Sequence, residues 1–373
     1  MARGGRFVVW HNYQLQTLVR DDCSIHQLSK SRLASDLPLR ETRFDSSGTS
    51  GCIAARSKSR DCNACETSTL HGFSTLEWSV DLQMPGHSVS AVIVSYNPSS
   101  DVLTNIAALR SQVDSIVVID NGSSEQSLTM LRRGRSECDF ELIENGSNLG
   151  IAAALNFGVR DGKARGCSWV ALFDQDSTVE SGFIELLRKA YESTPNSSRV
   201  GIVCPAYLDK RTGIILPLPR SRTGEIVATP TSGSLIPIEL FDKLGNFNES
   251  LFMDYVDVEF SLRSRRAGYR IVQSPKAVLK HSMGRITRHR WFGRSFTSTN
   301  HSAARRYYIT RNRLRLLASF LGDWSWSPKE TKSAILETVK ILLVEQDRLA
   351  KLKSILLGFA DALGGRMGKR FDL

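Results

Sequence analysis

The stretch WVALFDQDSTVESGF, residues 169–183, decides the reading of this chain. Five mostly apolar residues run directly into Asp174-Gln175-Asp176, after which the sequence turns polar. That is a buried strand ending in a carboxylate-bearing turn, which is either a polar reversal or a place to hold a divalent cation. Its surroundings repeat the pattern. SAVIVSY (90–96), SIVVID (115–120), FELIE (140–144) and VGIVCP (200–205) are short β-branched runs. Helical spacing separates them: Val102, Leu103, Ile106 and Leu109, then a helix from about 151, then one near 183–192. Alternation of this kind predicts an α/β fold with a mostly parallel sheet, whose ligands bind beyond the carboxyl ends of the strands. Asp120 and Asp174–Asp176 both fall at such ends, so the two turns are expected to share one cleft.

Beyond residue 206 the alternation weakens. TSGSLIP (231–237) reads as a strand, IELFDKLG as a short helix closed by Gly245, and 256–267 as a helix ended by Gly268. RIVQS and AVLKH read as strands, and everything from Ser302 as helix, with one apolar stripe over Thr331–Ala360.

Composition narrows the function. The 373 residues carry a formal charge of +11. Between Glu259 and Asp323 there are 15 Lys and Arg and no acid, which favours an anionic partner: phosphorylated substrate, anionic lipid or nucleic acid. No helix-turn-helix, zinc-finger, RNP or KH pattern supports nucleic acid. No apolar run is long enough to span a membrane, and the first residues do not read as a signal peptide. Residues 1–83 are Ser- and Arg-rich without periodicity and are expected to be disordered, or an extension ahead of a start at Met84. Cys62 and Cys65, with Cys52 and His71, lack the second pair a four-ligand zinc site needs. A catalytic unit over 84–300 and a basic helical region over 301–373 complete the expected organisation.

An isolated Asp-x-Asp is a common turn. Here it stands in an ordered set: VSYN (94–97), IDNGS (119–123), NLGIAAALNFG (148–158), DQD (174–176), SGSLI (232–236), FMDYVDVEFSLRSRRAGY (252–269) and KHSMG (280–284). That set resembles the family 2 glycosyltransferases, with most likeness to bacterial rhamnosyltransferases, from about Ser88 to the C-terminus. The resemblance implies a Rossmann-like nucleotide-sugar domain of the glycosyltransferase A type with a helical C-terminal extension. It implies that Tyr96 and Asp120 contact the pyrimidine and that Asn148 and Gly150 lie at the nucleotide. Asp176 and His281 would hold Mg²⁺ or Mn²⁺, with Asp174 on ribose or sugar. Ser232, Gly233, Glu259 and Arg263 would belong to the substrate site, and Arg285 and Arg288 would fold over the diphosphate. Asp257 would be the catalytic base, with Asp254 in reserve. Val256 stands where relatives carry Glu, which leaves Asp257 as the best candidate and Asp254 as the reserve.

The chemistry implied is inverting transfer, with dTDP-L-rhamnose as donor and a lipid-linked polysaccharide precursor as acceptor. The enzyme would be cytoplasmic, on the inner face of the membrane, with Arg305, Arg306, Arg311, Arg313 and Arg315 facing an anionic surface. The rival readings are a sugar-phosphate nucleotidyltransferase, which should show a Gly-rich basic loop after the first strand, and a non-enzymatic nucleic-acid or membrane adaptor.

Overall fold

The computed structural model describes residues 82, 85–281, 287–291 and 294–371. The expectations for residues 1–83, zinc included, lie outside that range. The first strands form as their apolar runs dictate: β1 (Val89–Ser95), β2 (Ser115–Asp120) and β4 (Trp169–Asp174) are almost wholly buried. Helix α1 (Asp101–Arg110) follows β1, and α3 (Ile151–Ala164) lies between β3 (Glu141–Glu144) and β4. Helix α2 (Glu125–Cys138) connects β2 to β3 and has no counterpart in the sequence reading. Only Leu131 and Gly134 of its 14 residues are buried, so the apolar stripe is too thin to register as a period.

After β4 come α4 (Phe183–Glu192), β5 (Val200–Asp209), β6 (Ile215–Leu216), β7 (Leu235–Pro237) and α5 (Ile238–Leu244). Helix α6 (Val256–Arg266) then leads into β8 (Arg270–His281), which joins the two strands expected there into one with a register shift. The sheet runs β3-β2-β1-β4-β7-β5-β6, with β8 on β5. The β1–β2, β1–β4, β2–β3 and β5–β8 pairs are parallel, and only the pairs to β6 and β7 are antiparallel. This is the α/β fold with a mostly parallel sheet that the alternation predicts. A polar hairpin, β9 (Thr287–Trp291) with β10 (Arg294–Ser298), was likewise not legible as strand.

Three helices complete the chain: α7 (Ala303–Ser319), α8 (Ser327–Val344) and α9 (Arg348–Leu363). The single stripe over 331–360 is thus divided, with left-handed Asp347 (φ 51°) between the two helices. No helix of the described residues is long and apolar enough to cross a membrane.

The strand register positions the site. Ser95 of β1 pairs with Asp120 of β2, and Val94 with Asp174 of β4, so both carboxylate turns leave the same edge of the sheet.

Candidate active site

Asp120 organises its own turn. Its carboxylate accepts from the Ser95 hydroxyl (3.3 Å), the backbone N–H of Gly122 (3.1 Å) and Ser123 (2.9 Å), and the Ser123 hydroxyl. Those four donors occupy its acceptor sites, and the residue is fully buried. These bonds hold the turn from Asp120 to Ser123 in one shape. Next to it, Asn121 accepts from the Leu149 N–H (3.1 Å) and donates to Asn148 Oδ1 (3.1 Å), which also accepts from the Gly150 N–H (3.0 Å). Gly150 has φ +90°, and a Cβ there would stand 2.7 Å from Phe252 Cδ2. Glycine is required because the Ile151 N–H reaches the Phe252 carbonyl at 2.8 Å, tying the 148–150 turn to the segment before α6.

The Asp174-Gln175-Asp176 turn is clamped from both sides. Gln175 accepts from the Tyr96 N–H (2.7 Å) and donates to the Tyr96 carbonyl (3.3 Å), so the β1 and β4 ends move together. Sequence reasoning passed over Gln175 as the filler of the motif. Ser232 accepts from the Asp174 N–H (3.1 Å) and exchanges a hydroxyl bond with Ser177 (2.6 Å). Ser232 is buried, and a Cβ on Gly233 would meet Pro205 Cγ at 2.8 Å. Both pack against the turn and support it. Two residues past Asp176, Thr178 exchanges backbone bonds with Lys280 (3.1 and 3.0 Å). The backbone of His281 is thereby brought beside the acidic turn from a position about a hundred residues away in sequence. The side chains of His281 and Arg288, and all of Arg285, lie outside the described residues.

The third wall is the turn before α6. Phe252, Asp254 and Tyr255 all have positive φ (63°, 57° and 67°). Such conformations cost L-residues about 1 kcal/mol or more each and persist only when the surroundings impose them. Asp254 is buried and clasped by Arg305 of α7 (2.9–3.2 Å), so it is an ion-pair partner and not a free proton acceptor. Asp257 lies one turn further, its carboxylate accepting from the Val258 N–H (2.8 Å). Burial pushes the Asp257 carboxyl up to about 7, with the Asp254 and Asp174 charges adding to the effect. Asp174, Asp254 and Asp257 all act electrostatically on Arg305, which puts the β4 turn and the α6 turn in one cluster.

Glu259 and Arg263 belong elsewhere. They form a bidentate pair (2.9 Å on each arm), and Arg263 also donates to the carbonyls of Leu244, Gly245 and Asn246. The pair closes the end of α5. The reading of the basic helix is corrected. Arg306 (3% exposed) binds Glu337 and Glu345, Arg313 (6%) binds Glu330 and Glu337, and Arg311 (0%) donates to the carbonyls of Gly368 and Leu251. With Arg305 on Asp254, only Arg315 of the five is exposed, so the cluster cannot serve as a membrane-facing patch.

The cluster fits a divalent cation. Asp254 pairs with Arg305, and oxygen donors at the β4 edge, Asp174 and Asp176, are of the type Mg²⁺ or Mn²⁺ takes when substrate phosphates complete its shell. Among the described residues no group of three or more His, Cys, Asp or Glu forms a ready-made ligand set.

Residues 90–228 match the glycosyl transferase family 2 profile. The chain is 27% identical to the dTDP-rhamnosyl transferase RfbF of Shigella flexneri over 301 residues, 75% of this chain and 97% of that protein. It is 28% identical to the low-salt glycan biosynthesis hexosyltransferase Agl10 of Haloferax volcanii, over 50% of this chain and 64% of that one. Among solved structures, the mannosyltransferase PcManGT of Pyrobaculum calidifontis, in complex with GDP-Man and Mn²⁺, superposes with a TM-score of 0.49 at 16% identity. That superposition covers 74% of this chain and 87% of the other. Over residues 90–228, which carry both carboxylate turns at one sheet edge, the chain is thus similar to the glycosyl transferase family 2.

Proposed function

We propose that the chain is an inverting rhamnosyltransferase that moves L-rhamnose from dTDP-L-rhamnose to a lipid-linked polysaccharide precursor. The observation that carries the reading is the strand register that sends the Asp120 and Asp174 turns off one sheet edge, within the segment similar to glycosyl transferase family 2, with Asp257, whose carboxyl burial pushes up to about 7, on the α6 turn as the base. A carboxylate with that proton affinity suits removal of an acceptor hydroxyl proton near neutral pH as the new bond forms. Attack from the Asp257 side, with the diphosphate departing on the other, inverts the anomeric centre and requires no second carboxylate nucleophile.

Asp176 and His281 would hold a divalent cation, with Asp174 on the ribose or sugar. The Thr178–Lys280 bridge supports the pairing because it brings the two backbones together. Such a cation, when bound, stabilises charge on the departing diphosphate. Arg305 adds fixed positive charge to the same cleft, and Arg285 and Arg288 would close over the diphosphate. Tyr96, Asn148 and Gly150 frame the nucleotide side. Rhamnose is favoured by the likeness to the Shigella flexneri dTDP-rhamnosyl transferase along nearly its whole length.

For a lipid-linked acceptor the enzyme would work at the inner face of the membrane. Exposed Ile335, Val339 and Leu342 of α8 and Leu349, Leu356 and Phe359 of α9 would make the contact in place of the α7 arginines. A panel of dTDP-L-rhamnose, UDP-GlcNAc and GDP-mannose, read by nucleoside diphosphate release with Mg²⁺ or Mn²⁺, tests the reading. Release from dTDP-L-rhamnose is expected; release only from another donor overturns the sugar assignment, and release from none overturns the activity.

A further inference from the structure

Asp257 follows a turn whose left-handed residues must be held from outside, and α7 holds them. The Asn312 amide donates to the carbonyls of Leu251 (2.9 Å), Met253 (2.7 Å) and Asp254 (3.0 Å), and Arg305 clasps the Asp254 side chain. The last left-handed residue is Tyr255, which caps α6 two positions before Asp257. Its phenol is fully buried, donating to Glu330 Oε1 (2.5 Å) and accepting from Arg313 Nε (2.5 Å). Arg313 also binds Glu330 (2.7 Å) and Glu337 (3.0 Å). The charge chain continues outward, from Glu337 to Arg306, Glu345 and Lys351.

Core stability alone does not call for this arrangement, because buried ion pairs are often matched or bettered by apolar packing of the same volume. What a buried hydroxyl fixed by two charged partners adds is one direction for Tyr255, and hence one orientation for the first turn of α6. We propose that Tyr255, held by Arg313 and Glu330, is a positioning residue that aims the Asp257 carboxylate at the acceptor hydroxyl. The proposal rests on Asp257 being the base. It draws residues of α7 and α8, beyond the matched 90–228 segment, into the catalytic step.

Tyr255→Phe keeps the ring and removes the fixed hydroxyl. With dTDP-L-rhamnose, or whichever donor of the panel turns over, kcat should fall about 10- to 100-fold while donor KM and dTDP affinity stay unchanged. In an Asp257→Asn background the same substitution should have no further effect, since no carboxylate remains to be aimed. Arg313→Lys, which keeps the charge on Glu330 and Glu337, reads the same point should the Phe variant not fold. Unchanged kcat in the folded variants overturns the positioning role. So does an equal fold-loss in the Asp257→Asn background, or failure of both variants to fold. Full turnover by Asp257→Asn alone would instead overturn the base assignment beneath it.

Discussion

Asp257→Asn should make the protein more stable at alkaline pH while nearly abolishing its activity. The substitution keeps the shape of the side chain and its acceptor for the Val258 N–H, and removes only the charge. The folded carboxyl lies at about 7, against an ordinary value of 3.8. A carboxyl raised in the folded state binds its proton more tightly there than in the unfolded chain. The stability this contributes is complete below about pH 3.8 and is lost progressively as pH rises to about 7. Three units at about 1.36 kcal/mol each give an upper bound of ~4 kcal/mol. Because Asp257 keeps some access to solvent, about half of that, ~2 kcal/mol, is the working expectation. The variant escapes that loss. Its advantage over the parent should therefore grow from about pH 4 to about pH 7 and level off above, corresponding to several degrees of thermal midpoint. Turnover moves the other way: the parent should show an acid limb near pH 7, and the variant should lose about 10²–10⁴-fold at its plateau. Thermal melts from pH 5 to 8.5, run beside kcat profiles, measure both. A melting difference that does not change with pH would refute the burial argument, and retained turnover would refute the role.

Four further outcomes are expected. Asp176→Ala should remove transfer and the Mn²⁺-dependence of donor binding while leaving the melting curve intact; unchanged metal dependence would make the turn purely structural. Gln175→Ala breaks two hydrogen bonds to Tyr96, so donor KM should rise about 5- to 30-fold, the equivalent of ~1–2 kcal/mol; steady-state kinetics decides. Arg306→Gln strips a buried partner from Glu345 and Glu337 and should destabilise by about 3–5 kcal/mol in urea titration; a neutral result would mean the helix is not fastened by charge. A chain beginning at Met84 should melt and turn over like the full protein, and loss of folding on truncation would assign residues 1–83 a structural part.

The sequence by itself determined the elements whose signal is local. Buried strands such as SIVVID and WVALFD form because β-branched runs must be covered on both faces. Their alternation with helices fixed the sheet edge at which Asp120 and Asp174 emerge. The seven ordered motifs carried the likeness to family 2 glycosyltransferases for the same reason, since each motif is a short contiguous string. Helix α2 escaped because its buried contact is two residues wide, and the β9–β10 hairpin because its strands are polar. What no local pattern could give is the partner of each charge. The run of 15 unopposed cations between Glu259 and Asp323 looked like a surface for anions. In three dimensions Arg263 turns to Glu259, Arg265 to Asp323, Lys280 to Glu180, Arg305 to Asp254, and Arg306 and Arg313 to acids of α8 and its C-cap. Ion pairs form across distances of 3 to 4 Å in space whatever the separation along the chain, so a one-signed stretch of sequence carries no information about where its counter-charges come from. The same holds for Asp120, Ser232 and Glu259: the motif supplied their identity, but only the tertiary contacts decided which groups hold them.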